Sequence, residues 1–249
     1  MWAHAVRWRL GLPNAPPGSR CQIPRRARGG APCGEVVDPL GDHAAICKCG
    51  GYKTICHSCL VHTLRAILGE SGAIVSPTEV AVEGWRRADG TGARLDIGFW
   101  ADGDRRFVDV TVRHPRAQKY IAQAAVEDGA AARVADRHKL LRYPANAAAG
   151  LHAVVPFAIE SFGRLGPSAR SLLRGAHQRA AEREAALRGW AGAALVARWH
   201  ALLSCTLQRS LFDASQAMWG TAGALTAVVP ASSAGAPLLA ASLAFGSQA

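Results

Sequence analysis

The chain of 249 residues, 49% of them hydrophobic, is long enough to bury one core and to carry small appendages. Its formal net charge of +11, from 29 Lys and Arg against 18 Asp and Glu, favours an acidic partner, with nucleic acid as the first candidate. The seven cysteines are odd in number and all but Cys205 lie between Cys21 and Cys59, which argues against a fully paired disulfide scaffold and favours metal binding.

Residues 1–20 predict a short basic amphipathic segment, Trp2 to Leu12, followed by a Pro/Gly linker. Arg7 and Arg9 interrupt the apolar residues of this segment, so we expect no signal peptide. Prolines also interrupt the apolar residues near the C-terminus, which argues against a membrane span. We therefore expect an intracellular protein, and the abrupt N-terminus predicts a fragment or a truncated gene product.

Residues 21–51 combine cysteines and a histidine with glycines, prolines and arginines, and have almost no apolar periodicity. A segment of this kind needs a metal ion to fold, and zinc with thiolate and imidazole ligands would serve. The most economical ligand set is Cys21, Cys33, His43 and Cys47. The long gap after Cys21 makes it the weakest member, and Cys49 is an alternative to it or to Cys47. The competing interpretation is free thiols in a disordered basic linker.

Residues 53–69 predict an amphipathic helix that ends at Gly69. His57 lies on this helix beside the apolar stripe. A lone helical histidine is more often a packed or surface residue than a functional one. Cys56 and Cys59 are more readily explained by packing than as additional metal ligands.

Residues 73–83 predict an edge strand or two short strands, because Pro77 interrupts them. A flexible segment follows, and then a β-hairpin with strands from Leu95 to Trp100 and from Arg106 to Val112. Asp96 and Asp109 each lie inside one of its strands. Carboxylates are costly to bury alone, so the pair predicts a cation between them, with two solvated edge carboxylates as the alternative. Glu79 is a further acid in this region.

The rest of the chain predicts helices at 116–126 and 130–143, a buried central strand at 151–159, and long helices from Pro167 to Trp190 and from Ala193 to Trp219. Residues 221–249 are of low complexity. The predicted fold is an α/β protein of αβββαβ order. Its predicted divisions are a basic segment at 1–20, a zinc-binding segment at 21–51, a core at 52–175, C-terminal helices at 176–220 and an unstructured tail at 221–249.

Several motifs occur in an order that resembles one known family. They are RLGLP, a Cys-Gly, DPLGDHAAIC, a basic helix bearing a histidine, LDI, VDVTVRHP, HKLLRY and VPFAIESFGRLGP. This order is similar to the C-terminal region of site-specific non-LTR retrotransposon polyproteins, in which a CCHC zinc knuckle precedes a restriction-like endonuclease of the PD-(D/E)XK class. The resemblance covers roughly residues 8 to 175. It implies a restriction-endonuclease-like core and a nuclease that lacks its reverse transcriptase.

The resemblance also implies roles for individual residues. Asp96 and Asp109 match the two metal-binding acids, although Leu95 replaces the proline of the motif. Thr111 stands where a lysine is expected, and in the retrotransposon branch that lysine is displaced to the following helix, as Lys139. Two further residues, His57 and Tyr143, match positions that would contact nucleic acid.

This set of residues implies metal-dependent DNA nicking. Asp96 and Asp109, with Glu79 as a further candidate, would hold Mg²⁺ or Mn²⁺. Cys33, His43 and Cys47 match the knuckle, with Cys21 as the displaced fourth zinc ligand. The implied partners are target DNA and element RNA, in the nucleus and without a membrane. The alternatives are a catalytically degenerate remnant that only binds nucleic acid, which Thr111 and Leu95 favour, and a structural zinc module.

Overall fold

The computed structural model describes residues 2–25, 30–143, 154–184 and 189–220 of the protein. These residues form a mixed α/β structure. The helices are α1 (Trp2–Arg9), α2 (His43–Ile46), α3 (Tyr52–Glu70), α4 (Ile121–Ala124), α5 (Ala130–Arg142), α6 (Pro167–Arg183) and α7 (Trp190–Met218). The strands are β1 (Ile74–Val75), β2 (Val80–Arg86), β3 (Gly92–Leu95), β4 (Ile97–Ala101), β5 (Asp104–Arg113) and β6 (Val154–Glu160). The predicted low-complexity tail at 221–249 lies outside the described residues.

The central sheet has the strand order β1-β4-β5-β6. β4 is antiparallel to both β1 and β5, whereas β5 and β6 are parallel. A parallel pair needs a crossover connection, and the chain between β5 and β6 contains α4 and α5. Together α3, β1, β4, β5, α5 and β6 therefore follow the order αβββαβ, and the predicted α/β class is confirmed.

The hairpin of β4 and β5 turns at Asp102-Gly103, where both residues have positive φ (57° and 81°). A two-residue turn of this kind matches the twist of antiparallel strands, and Gly103 adopts it without steric cost. The predicted hairpin is present, but its first strand begins at Ile97 instead of Leu95. Asp96 therefore lies between β3 and β4. The chain changes partner here, because Leu95 pairs with β2 and Ile97 pairs with β5.

The segment between Glu83 and the hairpin was predicted to be flexible, and this prediction is wrong. It contributes to β2 and β3, which form a separate two-stranded antiparallel sheet. Trp85 explains why this segment is ordered, because its side chain is buried against the rings of Phe107 and Tyr143. A single large aromatic residue supplies the apolar contact that the surrounding Gly, Arg and Asp residues lack.

The predicted buried strand is present as β6, but it lies at the edge of the described sheet and not at its centre. It is nevertheless apolar on both faces, because Ala132 and Ala135 of α5 pack against Ala158 on one face and α6 covers the other. An edge position tolerates Pro156, which has no amide hydrogen to donate. Residues 151–153 lie outside the described part of the chain.

Two helix boundaries differ from the predictions. Residues 116–120 form turns, and the predicted first helix is reduced to the four-residue α4. Arg116 accounts for this difference, because its guanidinium is held by Asp42 and by the carbonyl of Trp8. The long helix that starts at Pro167 ends at Arg183, before Trp190, which begins α7.

The main hydrophobic core lies between the central sheet and helices α3, α6 and α7. It is continuous from the hairpin, through Phe99 and Val110, to Trp199 and Leu203 of α7. The helices after residue 175 thus belong to the same core as the sheet. None of the described helices is both long and apolar enough to cross a membrane.

Asp42 joins the N-terminal segment to the core. Its carboxylate accepts a 2.6 Å hydrogen bond from the indole of Trp8, lies 3.3 Å from Nε2 of His114, and pairs with Arg116. Burial acts to raise the pKa of Asp42, but these donors hold the pKa below its usual value. Trp8 also stacks on His114, with ring centroids 5.5 Å apart.

We expect Asp42→Asn to lower the free energy of unfolding by about 2–3 kcal/mol, because the buried His114 and half-buried Arg116 lose their anionic partner. Urea denaturation followed by tryptophan fluorescence measures the change. Asp89→Asn is the control, because Asp89 is exposed and bonds only to Thr91 nearby. Equal stability of the two variants would show that Asp42 does not connect the N-terminal segment to the core.

Candidate functional site

Two carboxylates meet beside the β4–β5 hairpin. Asp109 lies within β5, and Asp96 occupies the junction of β3 and β4. Both are largely buried, with 13% of the Asp96 side chain and 8% of the Asp109 side chain exposed. The two carboxyl groups are close enough to share a hydrogen bond. Two adjacent buried negative charges repel each other, so carboxylates this close are stabilised by a shared proton, by a bound cation or by basic side chains.

Asp96 is held by groups from two elements, β5 and α3. Its Oδ2 accepts a 2.7 Å hydrogen bond from the amide of Val110 and lies 3.1 Å from Nε2 of His57 on α3. The Arg65 guanidinium donates to the Asp96 carbonyl oxygen over 2.6 Å. Burial acts to raise the pKa of Asp96, but the hydrogen bond and charge of His57 and the Val110 amide hold it below its usual value. Asp96 is therefore the carboxylate that ionises first.

Asp109 has a different environment. Its Oδ2 lies 2.6 Å from Nζ of Lys139 on α5, and Tyr143 also hydrogen-bonds to it. Burial raises the pKa of Asp109 above its usual value, although Lys139 acts in the opposite direction. Burial and the charge of Asp109 raise the pKa of Tyr143 to about 12, so the phenol stays protonated and donates. The helical spacing of Lys139 and Tyr143 thus places both side chains on one carboxylate.

Lys139 and His57, predicted from the resemblance, both reach the carboxylate pair. The hydrogen bond to Asp96 and the charges of both carboxylates outweigh burial and raise the pKa of His57. This favours the imidazolium form, which suits an anionic ligand. Tyr143, predicted to contact nucleic acid, instead bonds to Asp109 from a buried position. Asp136, one turn before Lys139, points away and accepts from the Ser168 amide.

Glu79 does not join the carboxylate pair through any contact that the described residues make. Its carboxylate pairs with Arg94, and nearly half of its side chain is exposed. Thr111 is buried on β5, two residues after Asp109. It leaves the lysine position of the motif without a charge, and the Lys139 ammonium takes up the position beside Asp109.

Arg65 is the residue near Asp96 that the sequence did not reveal. It lies two turns after His57 on α3, so the helical period places both on the side that faces the hairpin. Partial burial lowers the pKa of Arg65, with the charges of Asp96 and Glu79 acting against the change. The i, i+8 spacing of His57 and Arg65 was the only available signal, and many surface helices share it.

The second candidate site is a cluster of three cysteines and one histidine. The ligand atoms of Cys21, Cys33, His43 and Cys47 all lie within 4.8 Å of one another, and the cluster could hold a metal ion. Sγ of Cys33 is 3.5 Å from Nε2 of His43. Cys49 lies beside Cys47 but outside this group of four. The most economical ligand set from the sequence is therefore the one that the structure brings together.

Backbone pairing explains the long interval between the first two cysteines. The Cys21 amide donates to the Glu35 carbonyl, and the Cys33 amide donates to the Ile23 carbonyl. Isolated bridges between Arg20 and Val36 and between Pro24 and Pro32 continue this antiparallel arrangement. The two cysteines are thus brought together across paired strands, and the number of residues in the connecting loop is unimportant for the site.

Local hydrogen bonds position the other two ligands. The Asp38 carboxylate accepts from the amides of Leu40, Asp42 and His43, which fixes the start of α2. Gly50 follows with φ of +67°, and a Cβ there would lie 2.5 Å from the Ile23 side chain. Only glycine allows the chain to turn this tightly from the cluster into α3.

The buried thiols of the cluster need a cation to ionise. Burial raises the pKa of Cys21 and Cys47, with the charge of Cys33 acting in the same direction. Burial also lowers the pKa of His43, so its imidazole is neutral. A neutral imidazole and thiols that become thiolates on binding are what a zinc ion accepts. The chemistry of the four donors therefore fits zinc.

The cluster is packed onto the core. A small hydrophobic group joins Cys21, Ile23 and Val37 to Ala214 and Met218 at the end of α7. The Gln22 amide also donates to the Met218 carbonyl over 2.9 Å. Folding of the cluster is thus linked to the last turns of α7.

No family model matches the chain, and no curated protein is significantly similar to it.

Proposed function

We propose that the protein is a metal-dependent DNA endonuclease of the restriction-like class, derived from a non-LTR retrotransposon. One observation carries the proposal: two buried carboxylates, Asp109 within β5 and Asp96 at the junction of β3 and β4, adjoin each other, and a lysine ammonium contacts one of them. Phosphodiester hydrolysis requires a metal-binding acid pair and a cation that stabilises charge on the phosphate. The net charge of +11 agrees with a polyanionic substrate.

The αβββαβ order is compatible with the restriction-like class and supports this proposal. Asp109 is on a central strand, and the preceding acid is at the start of the antiparallel neighbour. The absent lysine at Thr111 is the main departure from the motif. Nζ of Lys139, on α5, lies 2.6 Å from Oδ2 of Asp109. Lys139 would thus supply the positive charge that the lysine of the motif provides.

The carboxylates fit a divalent cation. Mg²⁺ in proteins is usually held by one or two carboxylates and completes its coordination with water and substrate oxygens, and Asp96 and Asp109 would provide that pair. When bound, the metal would polarise the phosphoryl oxygen and lower the pKa of the attacking water. Lys139 would stabilise negative charge on the phosphate. His57, held by Asp96, would contribute a second positive charge at the same place.

The Cys₃His cluster would bind zinc and, with the basic residues around it, contribute to nucleic-acid binding. Lys48 follows Cys47 directly, and Lys53 lies at the start of α3. Such charges bind phosphates by releasing counterions, so affinity should fall steeply with salt. Target DNA and element RNA are the proposed partners, and the nucleus is the proposed location.

The second candidate function is nucleic-acid binding without cleavage. This function is favoured because both carboxylates are already bonded to groups of the chain itself. Asp96 bonds to His57 and the Val110 amide, and Asp109 bonds to Lys139 and Tyr143. In a degenerate site these contacts would be a structural network and no metal would enter it. The two candidate functions differ in one measurable activity, the cleavage of DNA.

A nicking assay on supercoiled plasmid tests the choice. The purified protein should convert supercoiled to open-circular DNA when Mg²⁺ or Mn²⁺ is added, and should not do so in Ca²⁺ or without added metal. Omitting the metal is preferable to chelation, because a chelator would also remove zinc. Intact plasmid in both active metals, together with salt-dependent DNA binding, would reject the nuclease and support the second function.

A further inference from the structure

A cavity of about 290 Å³ lies between the Cys₃His cluster and the carboxylate pair. Its walls come from α2, the first half of α3, the end of β5 and the segment after it, and α7. Its volume is at the lower end of the range for small-ligand pockets. The lining residues include Lys53, Arg113 and Lys119, and no Asp or Glu.

The three cations have no acidic partner. Among the described residues, no carboxylate forms an ion pair with Lys53, Arg113 or Lys119, unlike most of the buried charges around the carboxylate site. The Arg113 guanidinium donates only to the neighbouring Val112 carbonyl, and the Lys119 ammonium lies 4.6 Å from the centre of the Tyr120 ring. These charges therefore remain available to a ligand.

The like charges of this pocket affect one another. Desolvation by the surrounding groups lowers the pKa of Lys53; the charge of Cys47 acts in the opposite direction, and the charges of Lys48, Arg113 and Lys119 lower the pKa further. Cations that are held together without a counterion create a positive potential, which an anion entering the pocket would relieve. The chemistry of the pocket thus selects a small, negatively charged group such as phosphate.

The pocket is continuous with the carboxylate site. His57 lines the cavity and bonds to Asp96, and Thr111 lines it two residues after Asp109. Alternation along β5 places Asp109, Thr111 and Arg113 on one face of the strand. At the rise of an extended strand, Arg113 lies about 13 Å along the chain from Asp109. A nucleic-acid strand with its scissile phosphate at Asp109 would therefore carry a nearby phosphate past Arg113.

We propose that Lys53, Arg113 and Lys119 bind a backbone phosphate of the DNA strand that is cut, close to the scissile phosphate. This inference rests on the proposed function for the identity of the ligand and assigns the pocket as the site that positions the strand. Free inorganic phosphate offers the same chemistry, so the experiment must separate the two sources.

The test compares two doubly substituted variants with equal loss of charge. Lys53→Gln/Lys119→Gln removes two cations from the pocket, and Arg170→Gln/Arg174→Gln removes two exposed cations from α6. Binding of a fluorescent DNA duplex is measured by anisotropy in Ca²⁺ across a series of salt concentrations. All four positions are exposed, and thermal unfolding checks that both variants remain folded.

We expect the pocket variant to bind DNA about tenfold more weakly at low salt. Its slope of log K against log salt should be shallower by about 0.9, the value for one lost phosphate contact on duplex DNA. The α6 variant should keep the slope of the parent. A pocket variant with the affinity and slope of the parent would overturn the proposal. Unchanged DNA binding together with weaker direct binding of inorganic phosphate, measured by calorimetry, would also overturn it, since free phosphate would then be the ligand.

Failure of this inference can be distinguished from failure of the nuclease, because binding is measured without cleavage. If the parent does not nick plasmid but the pocket variant loses the phosphate contact, the pocket assignment stands and the strand is bound without being cut. If the parent nicks DNA and the pocket variant binds and nicks as the parent does, the nuclease stands and the pocket assignment fails.

Discussion

Replacing Asp109 by asparagine is expected to reduce Mg²⁺-dependent plasmid nicking by about 100-fold or more, because the variant loses a metal ligand at the centre of the site. Asp96→Asn should have a similar effect. The rate of formation of open-circular plasmid at saturating protein measures the loss, and DNA binding in Ca²⁺ measures what remains. Binding should change far less than cleavage, since neither carboxylate attracts the polyanion.

Asp109→Asn has a second consequence that needs its own control. The side chain of Lys139 is 12% exposed and would lose its partner, and a broken buried ion pair costs about 3–5 kcal/mol. The variant Asp109→Asn/Lys139→Met removes both charges together and should recover much of this stability. It should still fail to nick DNA. Recovered stability without recovered activity separates the chemical role of the Asp109–Lys139 pair from its structural role.

Asp104→Asn is the matched control for the loss of an acid from β5. Asp104 starts the same strand, is exposed, and lies 3.8 Å from Arg106, so its replacement should leave the nicking rate within about twofold of the parent. Nicking by Asp109→Asn at the rate of this control would show that the carboxylate pair binds no catalytic metal. Activity of the preparation would then belong to a contaminating nuclease or to another site.

The hairpin that presents Asp109 could be predicted from local sequence alone. Its strands are apolar and β-branched, and Asp102-Gly103 provides a turn that few other residue pairs form. Asp96 was harder to place, because the chain there looks like a continuous strand. Its position between β3 and β4 depends on which strands pair on either side, and pairing between distant segments leaves no local signal.

The sequence did not predict that residues of β2 and β3 form ordered strands, for a related reason. Local composition around Arg86 to Thr91 is that of a loop, and the ordering contact is made by Trp85 against Phe107 and Tyr143, which are distant in sequence. Similarly, the edge position of β6 could not be read from its apolar residues. Helices on both faces make an edge strand as apolar as a central one.

The side chains around the carboxylates were predictable only in part. The resemblance implied roles for both Lys139 and Tyr143, which are one helical turn apart, and both contact Asp109. Glu79 was equally acidic and near in sequence, yet it pairs with Arg94 at the surface. Glu79 directly precedes β2, and β2 belongs to the separate two-stranded sheet, a pairing that leaves no local signal in the sequence.

The Cys₃His cluster shows why spacing alone underrated Cys21. Typical zinc modules bring two ligands together in a tight turn, whereas here paired backbone segments on both sides of a loop do so. The sequence contains no pattern for those bridges, since they involve prolines and arginines. Once they form, Cys21 is as close to the other ligands as they are to one another.

Replacing Cys47 by serine is expected to abolish zinc binding and to unfold the segment around the cluster. The parent should contain about one zinc per chain by elemental analysis, and a structural zinc contributes an apparent binding free energy of about 10–16 kcal/mol in small modules. The hydrophobic contacts of this segment are few, chiefly Ile23 and Val37 against the end of α7. They cannot replace the metal, so proteolysis should cut the variant between residues 21 and 51 and leave the sheet protected.

Cys49→Ser is the matched control, since Cys49 lies two residues from Cys47 and is the alternative ligand that the sequence leaves open. The Cys49 thiol is outside the group of four ligand atoms, so this variant should keep its zinc and its protease resistance. If Cys49→Ser lost its zinc and Cys47→Ser kept it, the zinc ligand would be Cys49 and not Cys47. Zinc contents of both variants equal to the parent's would exclude Cys47 as a required ligand, because removing a thiolate from a tetrahedral site leaves too few donors to hold the ion tightly.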